Sequence, residues 1–188
     1  MKKTFTYLLI FLLAFHCSNA QFYKSFLSSG AFSDSLSIIV QDFKNNFLAI
    51  EGNQLTTQAE MEVYQSKATV PGALHSAIFR FHSLTDPTAS WQAIMYESES
   101  HEEAMKIYKN TVRQLLTSKM KWADNRIVSF TGKLEVPREN PAFAVTTLKL
   151  NIPDKAYRIF FAEVELTNSY YGWEVHLNLH NKRDDAEQ

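Results

Sequence analysis

Hydrophobic and polar residues alternate most cleanly near the end of the chain, where Trp173, Val175, Leu177 and Leu179 interleave with Glu174, His176, Asn178 and His180. A period of two sends successive side chains to opposite sides of a strand, so this segment predicts one buried and one solvated face. Six earlier stretches, 60–70, 74–83, 90–98, 126–136, 142–150 and 157–167, also read as strands, with 173–181 as the seventh. Pro71-Gly72 and Asp86-Pro87 separate members of the first group; 137–141, Pro153-Asp154 and 168–172 separate those of the second. Connections this short favour antiparallel pairing, because a parallel pair needs a much longer crossover.

Two segments carry a helical period instead. Leu36, Ile39, Val40, Phe43, Phe47 and Ile50 recur at three-to-four spacing, with Ser33 or Ser35 available as a cap and Gly52 after the last turn. In the second, Ser100-His101-Glu102-Glu103 has the form of a capping box, in which the Ser100 hydroxyl accepts from the Glu103 amide and the Glu103 carboxylate reaches back. Ala104, Met105, Tyr108, Thr111, Val112, Leu115 and Leu116 then form an apolar stripe. The pattern predicts an α+β domain in the order α-β-β-β-α-β-β-β-β: an antiparallel sheet of about seven strands covered by two helices. Shifting the chain by 65 residues lays the first helix on the second, Ser35 on Ser100 and Phe43 on Tyr108, which suggests a duplicated αβββ unit.

The strand over 157–167 departs from simple alternation. Arg158, Phe160, Ala162, Val164 and Leu166 form one side, while Tyr157, Ile159 and Phe161 precede Glu163 and Glu165 on the other. That greasy end needs a cover, for which the candidates are Phe22, Phe26 and Leu27 of the N-terminal segment, a partner protein or a ligand. If Val164 and Val175 share a face, directly opposed residues in the last hairpin have numbers with an odd sum. A sum of 339 sets Glu163 against His176 and Glu165 against Glu174, gathering Glu163, Glu165, Glu174 and His176 on one solvated face. Such a cluster can shift pKa values or share a proton, but in an ordinary sheet it is a set of cross-strand charge pairs.

The beginning of the chain adds a location. Met1-Lys2-Lys3, the apolar run 7–15 and Ser18-Asn19-Ala20 have the three parts of a cleaved secretory signal over 1–20. The run is too short for a hydrocarbon core of about 30 Å, so no transmembrane anchor is expected. The expected product is an exported, periplasmic or secreted domain over 21–181 with a polar tail over 182–188. Cys17, the single cysteine, leaves with the leader; its bulky neighbours Phe15 and His16 argue against lipidation. Two of the 19 basic residues and none of the 20 acidic ones lie in the leader, which leaves 17 against 20 in the mature chain. No basic run suits a nucleic acid, so none is expected as a partner.

Motifs for catalysis are missing from the sequence. There is no Gly-x-Ser-x-Gly elbow, no phosphate-cradling glycine loop and no mature thiol. His176 and His180 lie four apart on a strand, roughly 13 Å, too far to share one metal ion. No cofactor and no metal is therefore expected, and no catalytic residue is assigned. Tyr170-Tyr171-Gly172-Trp173 concentrates aromatic area at one hairpin end, where exposed rings suit a protein or small-molecule partner. The candidate ligand or partner surface is Tyr170, Tyr171, Glu163, Glu165, Glu174 and His176. The expected function is a non-catalytic binding module. A carrier of an apolar molecule held between helix and sheet near Phe161 and Ile159, and a hydrolase working from the carboxylate and histidine face, are the alternatives.

Overall fold

A computed structural model describes residues 29–181, except 59, 82–87, 123, 137–141 and 171. The leader with Cys17, the N-terminal segment with Phe22, Phe26 and Leu27, the tail over 182–188 and Tyr171 lie outside the described residues. Helix α1 (Ser29–Asp42) is followed by a meander of β1 (Glu51–Gln58), β2 (Met61–Ser66), β3 (His75–Phe81) and β4 (Ser90–Ser98). Helix α2 (His101–Thr117) comes next, then β5 (Met120–Lys121), β6 (Ile127–Val128), β7 (Phe130–Thr131), β8 (Phe143–Leu150), β9 (Phe160–Ser169) and β10 (Gly172–Asn181). Eight strands form one antiparallel sheet in the order β1-β2-β3-β4-β10-β9-β8-β7, and β5 pairs with β6 separately.

The α+β class and the two covering helices stand as expected, with one more strand in the main sheet. Each half runs as a helix and a four-stranded meander, and the last strands of the two meanders, β4 and β10, meet antiparallel at the centre. That is the arrangement two equivalent units would take about a two-fold axis. Each half thus has a helix with four main-sheet strands rather than three, and no single shift relates the halves. The helices begin at 29 and 101, whereas the last strands begin at 90 and 172.

Both helices pack on the same sheet face. Phe32, Leu36, Ile39 and Val40 of α1 and Ala104, Tyr108, Val112 and Leu115 of α2 join Trp91, Ala93, Leu177, Leu179, Ala162 and Val164 in one buried cluster. Trp91, Tyr108, Phe32, Phe47 and Phe160 are its largest fully buried side chains; burying each contributes about 1.5–3 kcal/mol. Their polar atoms are satisfied: Trp91 Nε1 donates to Ser66 Oγ at 2.9 Å, and Tyr108 Oη donates to the Glu135 carbonyl at 2.9 Å.

Four boundaries differ from expectation, each for a local reason. Helix α1 stops at Asp42, not near Gly52, because Asn46 and Phe47 take left-handed backbone (φ 55° and 59°) and the buried Asp42 carboxylate accepts from the amides of Ala49 and Ile50 at 3.0 and 3.1 Å. Phe43, Phe47 and Ile50 still reach the core from this turn, so a helical spacing persists where the helix does not. Strand β1 has no apolar alternation; it is a mostly exposed edge strand. The stretch 126–136 supplies two short strands, β6 and β7, in different sheets. Tyr157 belongs to a 3-10 turn, Lys155–Tyr157, and not to β9. Its ring packs 5.6 Å from that of Phe43, its hydroxyl donates to the Val40 carbonyl at 3.2 Å, and burial pushes its pKa up to about 12.

The capping box at α2 is half formed. Ser100 Oγ accepts from the Glu103 amide at 3.3 Å, but the Glu103 carboxylate accepts from the Tyr96 hydroxyl at 2.8 Å instead of turning back to the cap. The helix start is thereby fastened to β4.

Candidate functional site

With both described helices on one side, the other side of β3, β4, β10 and β9 has no covering element among the described residues and is called the open face. Alternation decides what it carries: β4 sends Trp91 and Ala93 into the core and Ser90, Gln92 and Ile94 outward. On β10, Val175, Leu177 and Leu179 go inward, leaving His176, Asn178 and His180 on the open face; on β9, Ala162 and Val164 go inward, leaving Phe161, Glu163 and Glu165. A cleft of about 620 Å³ lies here, lined among others by Phe79, Phe81, Gln92, Glu163, Glu165 and His180. A second, of about 500 Å³, continues over β3 towards β1 and shares Phe79 and Gln92 with the first.

The register within this face follows an odd sum, as alternation requires, but it is 341 rather than 339. Glu165 opposes His176, Glu163 opposes Asn178, and Glu174 opposes Thr167. The hairpin loop is tighter than the expected five residues: Ser169 pairs with Gly172, leaving two residues between the strands. Gly172 has φ 120°, and a Cβ on it would come within 2.8 Å of the Ser98 carbonyl oxygen on β4.

This register splits the expected cluster. Glu163 is buried and fully engaged: Oε1 accepts from Thr147 Oγ1 at 2.8 Å, and Oε2 lies 3.0 Å from His180 Nε2. His180 Nδ1 lies 2.7 Å from the Asn181 carbonyl oxygen, which can only accept, so Nδ1 carries a proton. Nε2 then either donates to the Glu163 carboxylate or accepts from its acid form.

Glu174 and His176 form a separate pair nearer the hairpin. Glu174 accepts from Ser169 Oγ at 2.6 Å through Oε1, and its Oε2 lies 2.7 Å from His176 Nε2. The Ser169 hydrogen bond, and after it the His176 contact, hold the Glu174 carboxyl below its ordinary range. His176 Nδ1 is buried without a hydrogen-bond partner among the described residues. Glu165, half-buried in the cleft, makes no hydrogen bond or ion pair among the described residues. It is the free carboxylate of the face.

Tyr170 is 96% exposed at the β9–β10 turn. The cleft begins at Glu165, about 17 Å away at strand rise, and extends to His180, on the order of 25 Å away, and Tyr170 is not part of its lining. Phe161 is buried on the open face, not between helix and sheet, with Lys149 Nζ 5.3 Å from its ring centre; Ile159 precedes the strand and is 37% exposed. Phe43, Tyr157 and Phe160 pack together near them, and a cleft of about 520 Å³ opens beside Ile159, lined among others by Phe43, Lys44 and Thr88.

Sequence reasoning missed Gln92, Asn178, Phe79 and Phe81 as neighbours of the carboxylates. Gln92 Nε2 donates to Asn178 Oδ1 at 2.8 Å across β4 and β10. The signal for Asn178 was present, since it alternates with Leu177 and Leu179 beside His176; the pairing of β4 with β10, 80 residues apart in the chain, was not. Among the described residues no group of three or more His, Cys, Asp or Glu is placed to hold a metal ion, and no helix is long and apolar enough to cross a membrane. No protein-family model, curated protein or solved structure matches the chain.

Proposed function

We propose that this chain is an exported, non-catalytic binding module that takes its ligand on the open face of the sheet. The observation behind this reading is the joined pair of clefts across β9, β10, β4 and β3, where apolar side chains and a free carboxylate stand side by side without a covering helix. Ligand sites have this mixture of apolar lining and a few placed polar groups. The hydrolase alternative has less support, because Glu163 and Glu174 are each held in place by a neighbouring histidine and a hydroxyl rather than aimed at the cleft together.

Phe81 and Leu74 line the two clefts and are about half exposed, so replacing them disturbs binding more than folding. An apolar fluorescent dye titrated onto the purified protein should bind at one equivalent, and Phe81→Glu with Leu74→Glu should abolish the signal while the melting temperature stays within a few degrees. Unchanged dye binding in the folded double variant would remove the reading. Activity on a hydrolase substrate panel that disappears in Glu163→Gln would establish the alternative.

A further inference from the structure

The two clefts differ in character. At the β9 and β10 end the described lining includes Glu163, Glu165 and His180 and contains no lysine or arginine. At the β3 end it includes Leu55, Leu74, Ala77, Phe79 and Ile94, with no charged carboxylate or ammonium group. Because they share Phe79 and Gln92, they form one groove with an acidic end and an apolar end.

The charge at the acidic end belongs to Glu165. Glu163 is paired with His180, Gln92 donates to Asn178 across the strands, and among the described residues half-buried Glu165 makes no hydrogen bond or ion pair. A partly desolvated carboxylate beside apolar walls favours a cation that brings its own apolar body, since burial strengthens the charge interaction and the body covers the rest of the groove. We infer that the groove binds an amine-headed amphiphile, its ammonium group at Glu165 and its apolar chain crossing the strands past His176 to Ile94 and its neighbour Leu74, which share one cross-strand row. From β9 to β3 are three strand spacings, about 14 Å; an extended octylamine, about 10 Å from nitrogen to terminal carbon, reaches from Glu165 to van der Waals contact with β3.

This inference rests on the open face being the binding surface, and the test separates the two. Octylamine, octanol and octanoate, of equal chain length and different charge, are titrated onto the purified protein at neutral pH by calorimetry, with methyl resonances followed by NMR. Octylamine should bind at least tenfold tighter than octanol, with octanoate weakest, and should move the methyls of Leu74 and Ile94. Glu165→Gln should weaken octylamine about tenfold, a loss of about 1.4 kcal/mol, and leave octanol unchanged; high salt should weaken octylamine alone. Equal binding of all three ligands would overturn the cation preference and leave the binding face intact. Octylamine affinity indifferent to Glu165→Gln would overturn the placement of its head. Failure of all three to bind would overturn the inference, and dye binding to the same sample would then say whether the face itself survives.

Discussion

Glu163 offers a substitution whose cost can be worked out from its contacts. Its two carboxylate oxygens serve Thr147 Oγ1 at 2.8 Å and His180 Nε2 at 3.0 Å, with the side chain 9% exposed. Glu163→Ala leaves the threonine hydroxyl and one ring nitrogen without a partner in a site that water enters poorly. Each such loss costs about 1–3 kcal/mol, so the two together cost about 2–6 kcal/mol. Glu163→Gln keeps the shape and both hydrogen bonds, because its amide oxygen accepts from Thr147 and its amide nitrogen donates to Nε2 of a neutral His180. Its cost should stay below about 1 kcal/mol. In urea, at a slope of about 2 kcal/mol per molar, the alanine variant should unfold at a midpoint lower by about 1–3 M and the glutamine variant within about 0.5 M of the wild type. If glutamine costs as much as alanine, charge and not hydrogen bonding holds the pair, and the argument fails. A neutral alanine would mean that the pair is solvated and contributes nothing.

Three further outcomes follow from the same geometry. Asp42→Ala should destabilise the fold by about 2–3 kcal/mol, since it strips the buried acceptor of the Ala49 and Ile50 amides; hydrogen exchange at those two amides should rise selectively. Gly172→Ala should lower the melting temperature by several degrees, because a Cβ at φ 120° meets the Ser98 carbonyl oxygen at 2.8 Å; an unchanged melt would contradict the hairpin geometry. Glu174 has a folded pKa below its unfolded value, so its contribution is present above the ordinary carboxylate range and is lost as pH falls through the folded value. Ser169→Ala removes the largest cause of that shift, and stability measured from pH 6 down to pH 3 should fall less steeply in the variant than in the wild type.

Much of this fold was legible because burial writes a period into the chain. In β10, Val175, Leu177 and Leu179 are fully buried, and the alternation that revealed the strand also named its open-face residues. Parity was legible for the same reason: one face is buried, so a slip of one residue is forbidden, whereas a slip of two exchanges like for like. That freedom is why Glu165 meets His176, and why the tight Ser169–Gly172 closure, not the pattern, selected the register. Strand β1 was illegible because an exposed edge strand held by backbone pairing needs no apolar face. The turn after Asp42 was illegible because Phe43, Phe47 and Ile50 face the core from it as they would from a helix. The carboxylates of the candidate site could be read from their strand; their segregation into a Glu163–His180 pair, a Glu174–His176 pair and a Glu165 without an ion pair among the described residues depends on contacts between strands that the chain order does not disclose.

The central claim is that the open sheet face carries a ligand, and native mass spectrometry of the protein purified from its own source tests it most directly. The account predicts a bound mass on the wild-type chain that is absent from a folded Phe81→Glu and Leu74→Glu double variant prepared in the same way. A bound mass retained by that variant, or lost from Tyr170→Ala instead, would contradict it and move the site to the hairpin end.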